Sequence, residues 1–160
     1  MYTGTIDMGK TNLKSAFKIS GRLHILVKDA KTGRVLRDEW QDNKIVTAGL
    51  DLVRDLLINT NFAPTHIAVG ITNTAPVAGD TTLASEVFRN RITSRTASAQ
   101  KATFQLFLGT GDANGDTLVE AGIFNRSSLG DMLSRVIYTG IVKNSGITAT
   151  LTWEITISEA

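Results

Sequence analysis

The stretch GTIDMGKT, Gly4 to Thr11, matches the phosphate-loop pattern G-x-x-x-x-G-K-[ST] letter for letter. Such a loop holds phosphate because a buried strand delivers the chain to the first glycine, backbone N–H groups wrap the phosphates, and a helix starts at the Lys-Ser/Thr pair. Only Met1, Tyr2 and Thr3 stand before Gly4 here, too few for a core strand. The nearest downstream strand with an aspartate at its end, LHILVKD, is interrupted by Lys28, and its Asp29 opens the turn-like DAKTGR. Residues 4–11 are therefore read as part of an N-terminal arm, and no cofactor is expected. A nucleotide site at Gly9, Lys10 and Thr11 is the alternative.

Other residues of reactive type fare similarly. Asp112, Asn114 and Asp116 alternate as in a calcium loop. That motif needs glycine sixth and a bidentate glutamate twelfth; here glycine is fourth and Ile123 is twelfth. The Asn114-Gly115 pair instead predicts a hairpin turn between two strands. His24 and His66, the two histidines, each sit inside an apparent strand without a metal-ligand partner at useful spacing. RSSLG lacks the G-x-S-x-G elbow of a serine hydrolase. Glu86 and Glu120 would suit an acid–base pair if they met. Arg89, Arg91 and Arg95 form a local basic patch, with Arg89 and Arg91 on one strand face, placed to pair with Glu86 or a neighbouring subunit. None of this assembles into an active site, and the expectation is a non-enzymatic protein without a metal.

The elements that would position these residues are mostly strands. Ile147, Ala149, Leu151, Trp153, Ile155 and Ile157 alternate strictly with polar residues, which predicts an antiparallel strand with one buried face. Leu23, Ile25 and Val27 repeat the pattern, with DAKTGR turning into VLRDEW. THIAVGI, ATFQLFLGT, TLVEAGIF and MLSRVIYTGIV are further strands. A single helix is expected over VTAGLDLVRDLLINT, with Thr47 as N-cap and Val46, Leu50, Val53 and Leu57 on its apolar face, flanked by Leu52 and Leu56. LASEVFRNRI fits a short helix or an extended segment, and TNTAPVAGDTT reads as a loop. The expected fold is mainly β (α+β): an antiparallel β-sandwich or partly open barrel with one packed amphipathic helix.

Composition adds boundaries. At 160 residues with 42% hydrophobic content, one domain with a real core is expected. No apolar run approaches the roughly 18 residues of a membrane span, and no signal-peptide pattern follows Met1. The absence of cysteine rules out disulfides and thiolate chemistry; it fits a reducing compartment and suits equally a protein assembled in cytosol and later exposed outside the cell. Residues 1–37 carry eight cationic side chains against Asp7 and Asp29, a net +6 in a chain of net +2, leaving −4 elsewhere. Lys10, Lys14, Lys18 and Arg22 recur every four residues beside Leu13 and Phe17, a basic stripe beside an apolar one if the segment turns helical. Residues 1–20 are thus read as a basic arm and 21–160 as a single β-rich domain. The partner-binding residues expected are Lys10, Leu13, Lys14, Phe17 and Lys18 on the arm, with Arg89 and Arg91 on the domain. Nucleic acid is a further alternative partner of the arm, disfavoured because no aromatic-basic platform accompanies the charge.

From residue 45 onward, NKIVTAGLDLVRDLL, THIAVGITNTAPVAGDTTLASEVFR, TLVEAGIFN, MLSRVIY and LTWEITI follow in order. This set resembles a recurrent module of tailed-bacteriophage virion proteins, found in tail- or collar-fibre proteins and small capsid-surface proteins. It covers about two-thirds of the chain, roughly residues 45–157. It departs from the pattern after Gly70, where Ile71-Thr72-Asn73 replace a second glycine-threonine pair. The resemblance implies a structural virion protein, assembled in the host cytoplasm. Such a protein decorates or cements the capsid or connects tail or collar parts, contacts other virion proteins, and self-associates, most often as a trimer. It brings no catalytic residues. Gly70, Pro76, Glu86, Arg89, Glu120, Gly122 and Phe124 are the matching positions expected to define the fold.

Overall fold

The two clearest alternating segments become neighbouring strands. In the computed structural model, which describes residues 16–159, β1 (Phe17–Asp29) and β10 (Ile147–Glu159) pair antiparallel from end to end, Phe17 opposite Glu159 and Asp29 opposite Ile147. Between them come β2 (Val35–Asp42), β3 (Lys44–Ile45), the helix α1 (Thr47–Leu57), β4 (His66–Gly70), β5 (Glu86–Arg91), β6 (Ser94–Ser98), β7 (Lys101–Leu108), β8 (Thr117–Phe124) and β9 (Met132–Val142). They form two five-stranded antiparallel sheets. Sheet A has the order β2-β1-β10-β7-β6, and sheet B the order β3-β9-β8-β4-β5.

The core lies between the sheets. Leu23, Ile25, Leu106, Leu151 and Trp153 from sheet A meet Ile67, Val69, Leu118, Ile123 and Val136 from sheet B. All are essentially inaccessible to solvent, each stabilising the fold by about 1.5–3 kcal/mol relative to an exposed side chain. Arg37 on β2 donates to the carbonyls of Thr139 and Gly140 on β9, bridging the sheets along one edge. The protein is mainly β with one helix, as the alternation predicts.

The outer faces of the sheets differ. Leu83, Val46, Ala68, Phe124 and Met132 form a second, smaller cluster on the far side of sheet B. It is covered by the β4–β5 connection, residues 71–85, with Ala48 of α1 packed beside it, whereas Leu52 and Val53 of α1 pack on the main core. Sheet A has no such cover among the described residues.

Three expectations are corrected, and one left open between helix and extended chain is decided. The arm was set at residues 1–20, but Phe17, Lys18, Ile19 and Ser20 open β1, because the C-terminal strand supplies them a full ladder of partners. Lys18 and Arg22 are therefore extended rather than on a helical stripe. Residues 1–15 fall outside the described region. The GDANGD segment does not close a hairpin: β7 lies in sheet A and β8 in sheet B, so the connection crosses the sandwich. LASEVFRNRI contributes a strand, β5, to the edge of sheet B.

The helix starts where expected but is held differently. Val46 is its N-cap, in extended conformation and without a side-chain cap. The Thr47 N–H, one of the donors a helix start leaves unpaired, donates instead to the Ala78 carbonyl of the 71–85 connection at 2.8 Å. The buried residues of α1 are Gly49 and Leu52, whereas Leu50 is 51% and Leu57 82% exposed. A Cβ on Gly49 would stand 2.0 Å from the Leu133 carbonyl oxygen. Glycine thus lets the helix approach the β9 backbone, and that contact fixes its rotation.

Candidate functional site

The densest polar chemistry lies on the outer face of sheet B. Register places Gly70 on β4 between Glu86 on β5 and Glu120 on β8, with Arg135 on β9 beside Gly122. Arg135 donates to Glu120 through Nε at 3.0 Å and a terminal nitrogen at 2.7 Å. It donates further to Asp80 at 2.8 Å and to the Thr74 carbonyl at 3.0 Å. Glu120 also accepts the backbone N–H groups of Ala84 and Ser85 at 3.3 and 2.9 Å. Asp80 accepts the N–H of Val77 at 3.0 Å. Burial works against the Arg135 charge, but its hydrogen bonds to the Asp80 and Glu120 carboxylates hold its pKa above the ordinary value. The 71–85 connection is a strap stitched to the sheet by one buried arginine and two carboxylates.

Glycines let the strap lie close. A Cβ on Gly70 would stand 2.4 Å from the Ser85 carbonyl oxygen and 2.5 Å from Glu120 Oε1. On Gly122 it would stand 2.9 Å from Leu83 and Phe124. Arg89 completes the frame. Its guanidinium lies 3.7 Å from the Phe124 ring centre, it grips Glu86 at 2.6 and 2.9 Å, and it donates to the carbonyls of Arg126 and Leu129. Glu86 and Glu120 therefore each have an arginine of their own and do not act on one another.

The outer face of sheet A is largely polar. Across β2, β1, β10, β7 and β6, the register aligns Trp40, His24, Thr152, Gln105 and Ser94 in one row, and Asp42, Arg22, Glu154, Thr103 and Thr96 in the next. Glu154 accepts from Arg22 at 2.8 Å and Lys101 at 2.7 Å. Burial raises its pKa, but those two cations outweigh it and hold the carboxyl below its usual range. The Trp40 ring stacks on His24 at 4.6 Å between centres, and the Arg22 guanidinium lies 3.9 Å from it. His24 Nε2 meets Asp38 at 2.7 Å.

The remaining sequence candidates are dispersed. Lys10, Leu13 and Lys14, with the phosphate-loop match, lie outside the described residues. Phe17 is exposed at the start of β1, and Lys18 lines an open cleft of about 550 Å³ with Ile19, Asp42 and Leu50. Arg89, expected at a partner surface, has a side chain only 8% exposed and is committed to its own subunit. Arg91 is exposed on the same strand face. His66 hydrogen-bonds Thr65; burial, then the charges of Arg89 and Arg91, push its pKa down. In the would-be calcium loop a cation of the protein itself is seated: the buried Lys143 ammonium donates to Asn114 Oδ1 at 2.9 Å and to the Asn144 carbonyl at 3.1 Å. Among the described residues no cluster of three or more metal-ligating side chains occurs.

No family model, no curated protein and no solved structure matches the chain. Arg135, Asp80, Lys143 and Trp40 were not singled out by sequence reasoning. Arg135 carried a signal, since a lone arginine within the apolar MLSRVIY must find a buried partner.

Proposed function

We propose that this chain is a non-enzymatic structural protein of a tailed-bacteriophage virion, decorating or cementing the capsid or joining tail or collar parts, and self-associating as a trimer. One observation carries the reading. Four of the five sequence stretches on which the resemblance rests converge on one construction: α1, the strap with β4 and β5, β8 with Glu120, Gly122 and Phe124, and β9 with Arg135. LTWEITI, the fifth, is the central strand of the facing sheet. A set of short motifs that build one unit supports common descent more strongly than motifs scattered over the surface. The carboxylates, histidines and buried lysine that could suggest an enzyme are each engaged in contacts that hold strands and loops together, which supports the same reading.

Light scattering of the purified protein at micromolar concentration should give three times the chain mass. Labelled antibody should then decorate purified phage particles in electron micrographs. A monomer in solution together with unlabelled particles overturns the proposal, as does a saturable micromolar ATP–magnesium site in calorimetry. Removing residues 1–15, which leaves β1 whole, should preserve the cooperative melt and weaken attachment to particles, if the arm docks on an acidic, partly apolar neighbour.

A further inference from the structure

Two connections at one end of the sandwich are locked to each other and display apolar side chains outward. Asn125, 3% exposed, donates to Asn61 Oδ1 at 2.9 Å and to Asp131 Oδ2 at 3.1 Å. Asn61 in turn donates to Asp131 Oδ2 at 2.9 Å, and the Asp131 N–H donates back to Asn125 Oδ1 at 2.8 Å. Thr65 adds a hydrogen bond to the Asn125 carbonyl. This network fixes the segment after α1 against the β8–β9 turn. Yet the side chains it presents are not used inside the subunit: Leu129 is 85%, Phe62 67% and Ile58 66% exposed, continuing from Leu57 at the end of α1.

Leu129 is the most telling. Its φ is +52°, in the left-handed region that glycine or asparagine occupies at least cost. A leucine there carries backbone strain while its side chain contributes almost nothing to the core, and strained exposed positions concentrate where a surface is used. The rim is cationic. Arg126 lies 5.9 Å from the Phe62 ring, Arg95 reaches the Pro64 carbonyl, and Arg91 stands opposite His66 on β5. None of these three arginines makes an ion pair among the described residues, whereas Arg22, Arg37, Arg54, Arg89 and Arg135 all do.

We propose that this tip is a docking surface for an apolar segment flanked by carboxylates on a different protein. Preorganised loops lower the ordering cost of binding, the apolar anchors supply the buried centre, and the arginines select an acidic partner. A second copy meeting the tip face to face would set arginine against arginine. Head-to-tail pairing has little concentrated acidic surface to use: the carboxylates without a side-chain partner among the described residues, Asp42, Asp112, Asp116 and Glu159, are divided among β2, the β7–β8 connection and the end of β10. The inference does not depend on the virion reading.

The test is selection of a random peptide library on the full chain, with Leu129→Gly and Arg126→Glu as comparison proteins. Leu129→Gly relieves the strained position, so it should melt no lower than the parent. Selected peptides should carry aliphatic or aromatic anchors beside Asp or Glu, and each variant should weaken their binding about tenfold. Raised salt should weaken it further. Peptides without acidic enrichment, or equal binding to Leu129→Gly, overturn the proposal. So does retention on phosphatidylserine vesicles with no peptide selected, which would assign the tip to an anionic lipid surface. Concentration-dependent self-association abolished by Leu129→Gly would assign it to a second copy and likewise overturn it.

Discussion

Glu120 and Glu154 occupy equivalent places, each on the outer face of the central strand of its sheet and each held by cations. Their surroundings diverge. Glu120 accepts backbone N–H groups from a strap 35 and 36 residues distant in sequence, is wholly buried, and has a face of the sheet closed above it. Glu154 is held only by side chains of adjacent strands, Arg22 and Lys101, which remain half in water. A sheet face can be covered by irregular chain only if something beneath satisfies the cover's backbone donors. Sheet B has that something, and sheet A has threonines and a stacked tryptophan facing outward.

The comparison breaks most decisively at Arg135. Arg135→Ala leaves Glu120 buried without its cation and should cost about 3–5 kcal/mol, read as a lower denaturation midpoint. Hydrogen exchange should show the amides of residues 77–85 opening well before those of β10; uniform opening would mean that the strap and sheet unfold together. Gly70→Ala tests the closeness of the strap rather than its charge. The new methyl meets a backbone carbonyl, and overpacking of this kind costs about 1–3 kcal/mol. A melt unchanged from the parent would show that the strap gives way freely.

On sheet A the effects shrink. The folded pKa of Glu154 is depressed, so its contribution is present above the unfolded value near 4.5 and fades as pH falls below it toward the folded value. Glu154→Gln should therefore lose at most about 1 kcal/mol at neutral pH and flatten the decline of stability with acid over that window. Equal acid slopes in parent and variant would remove Glu154 as its source. Thr150→Ala, on the uncovered face, should change stability by no more than about 0.5 kcal/mol; a larger loss would mean that the face is packed against something.

Much of this frame was legible. Period-two alternation placed β1 and β10 and their buried residues, because burial on one face leaves a direct imprint on residue type. Phe17 and Ile19 continue the odd-numbered apolar positions of Leu23, Ile25 and Val27 across Gly21, a signal masked by the four-residue spacing of Lys10, Lys14, Lys18 and Arg22, and β10 lies alongside them. Alternation failed where the imprint depends on partners distant in the chain. Asn114-Gly115 signals a local turn but says nothing about which sheet each flanking strand joins. The rotation of α1 followed Gly49 and its approach to Leu133 rather than the widest leucine stripe. For the site, Glu86, Arg89, Glu120 and Gly122 were picked out through the resemblance. Their joint task was invisible, since it requires knowing that the strap folds back over β8.

The pairing of β1 with β10 has a consequence for synthesis. Every strand of sheet B, with its helix and strap, is complete once residue 142 has been made. Sheet A by then exists only as two separate hairpins, β1–β2 and β6–β7, with the gap between them awaiting residues 147–159. On the ribosome, one half of the sandwich can therefore close while the inner apolar face of the other stays open until its central strand emerges. Contacts spanning nearly the whole chain form late and slowly, and during that interval two unpaired strand edges are exposed to neighbouring nascent chains.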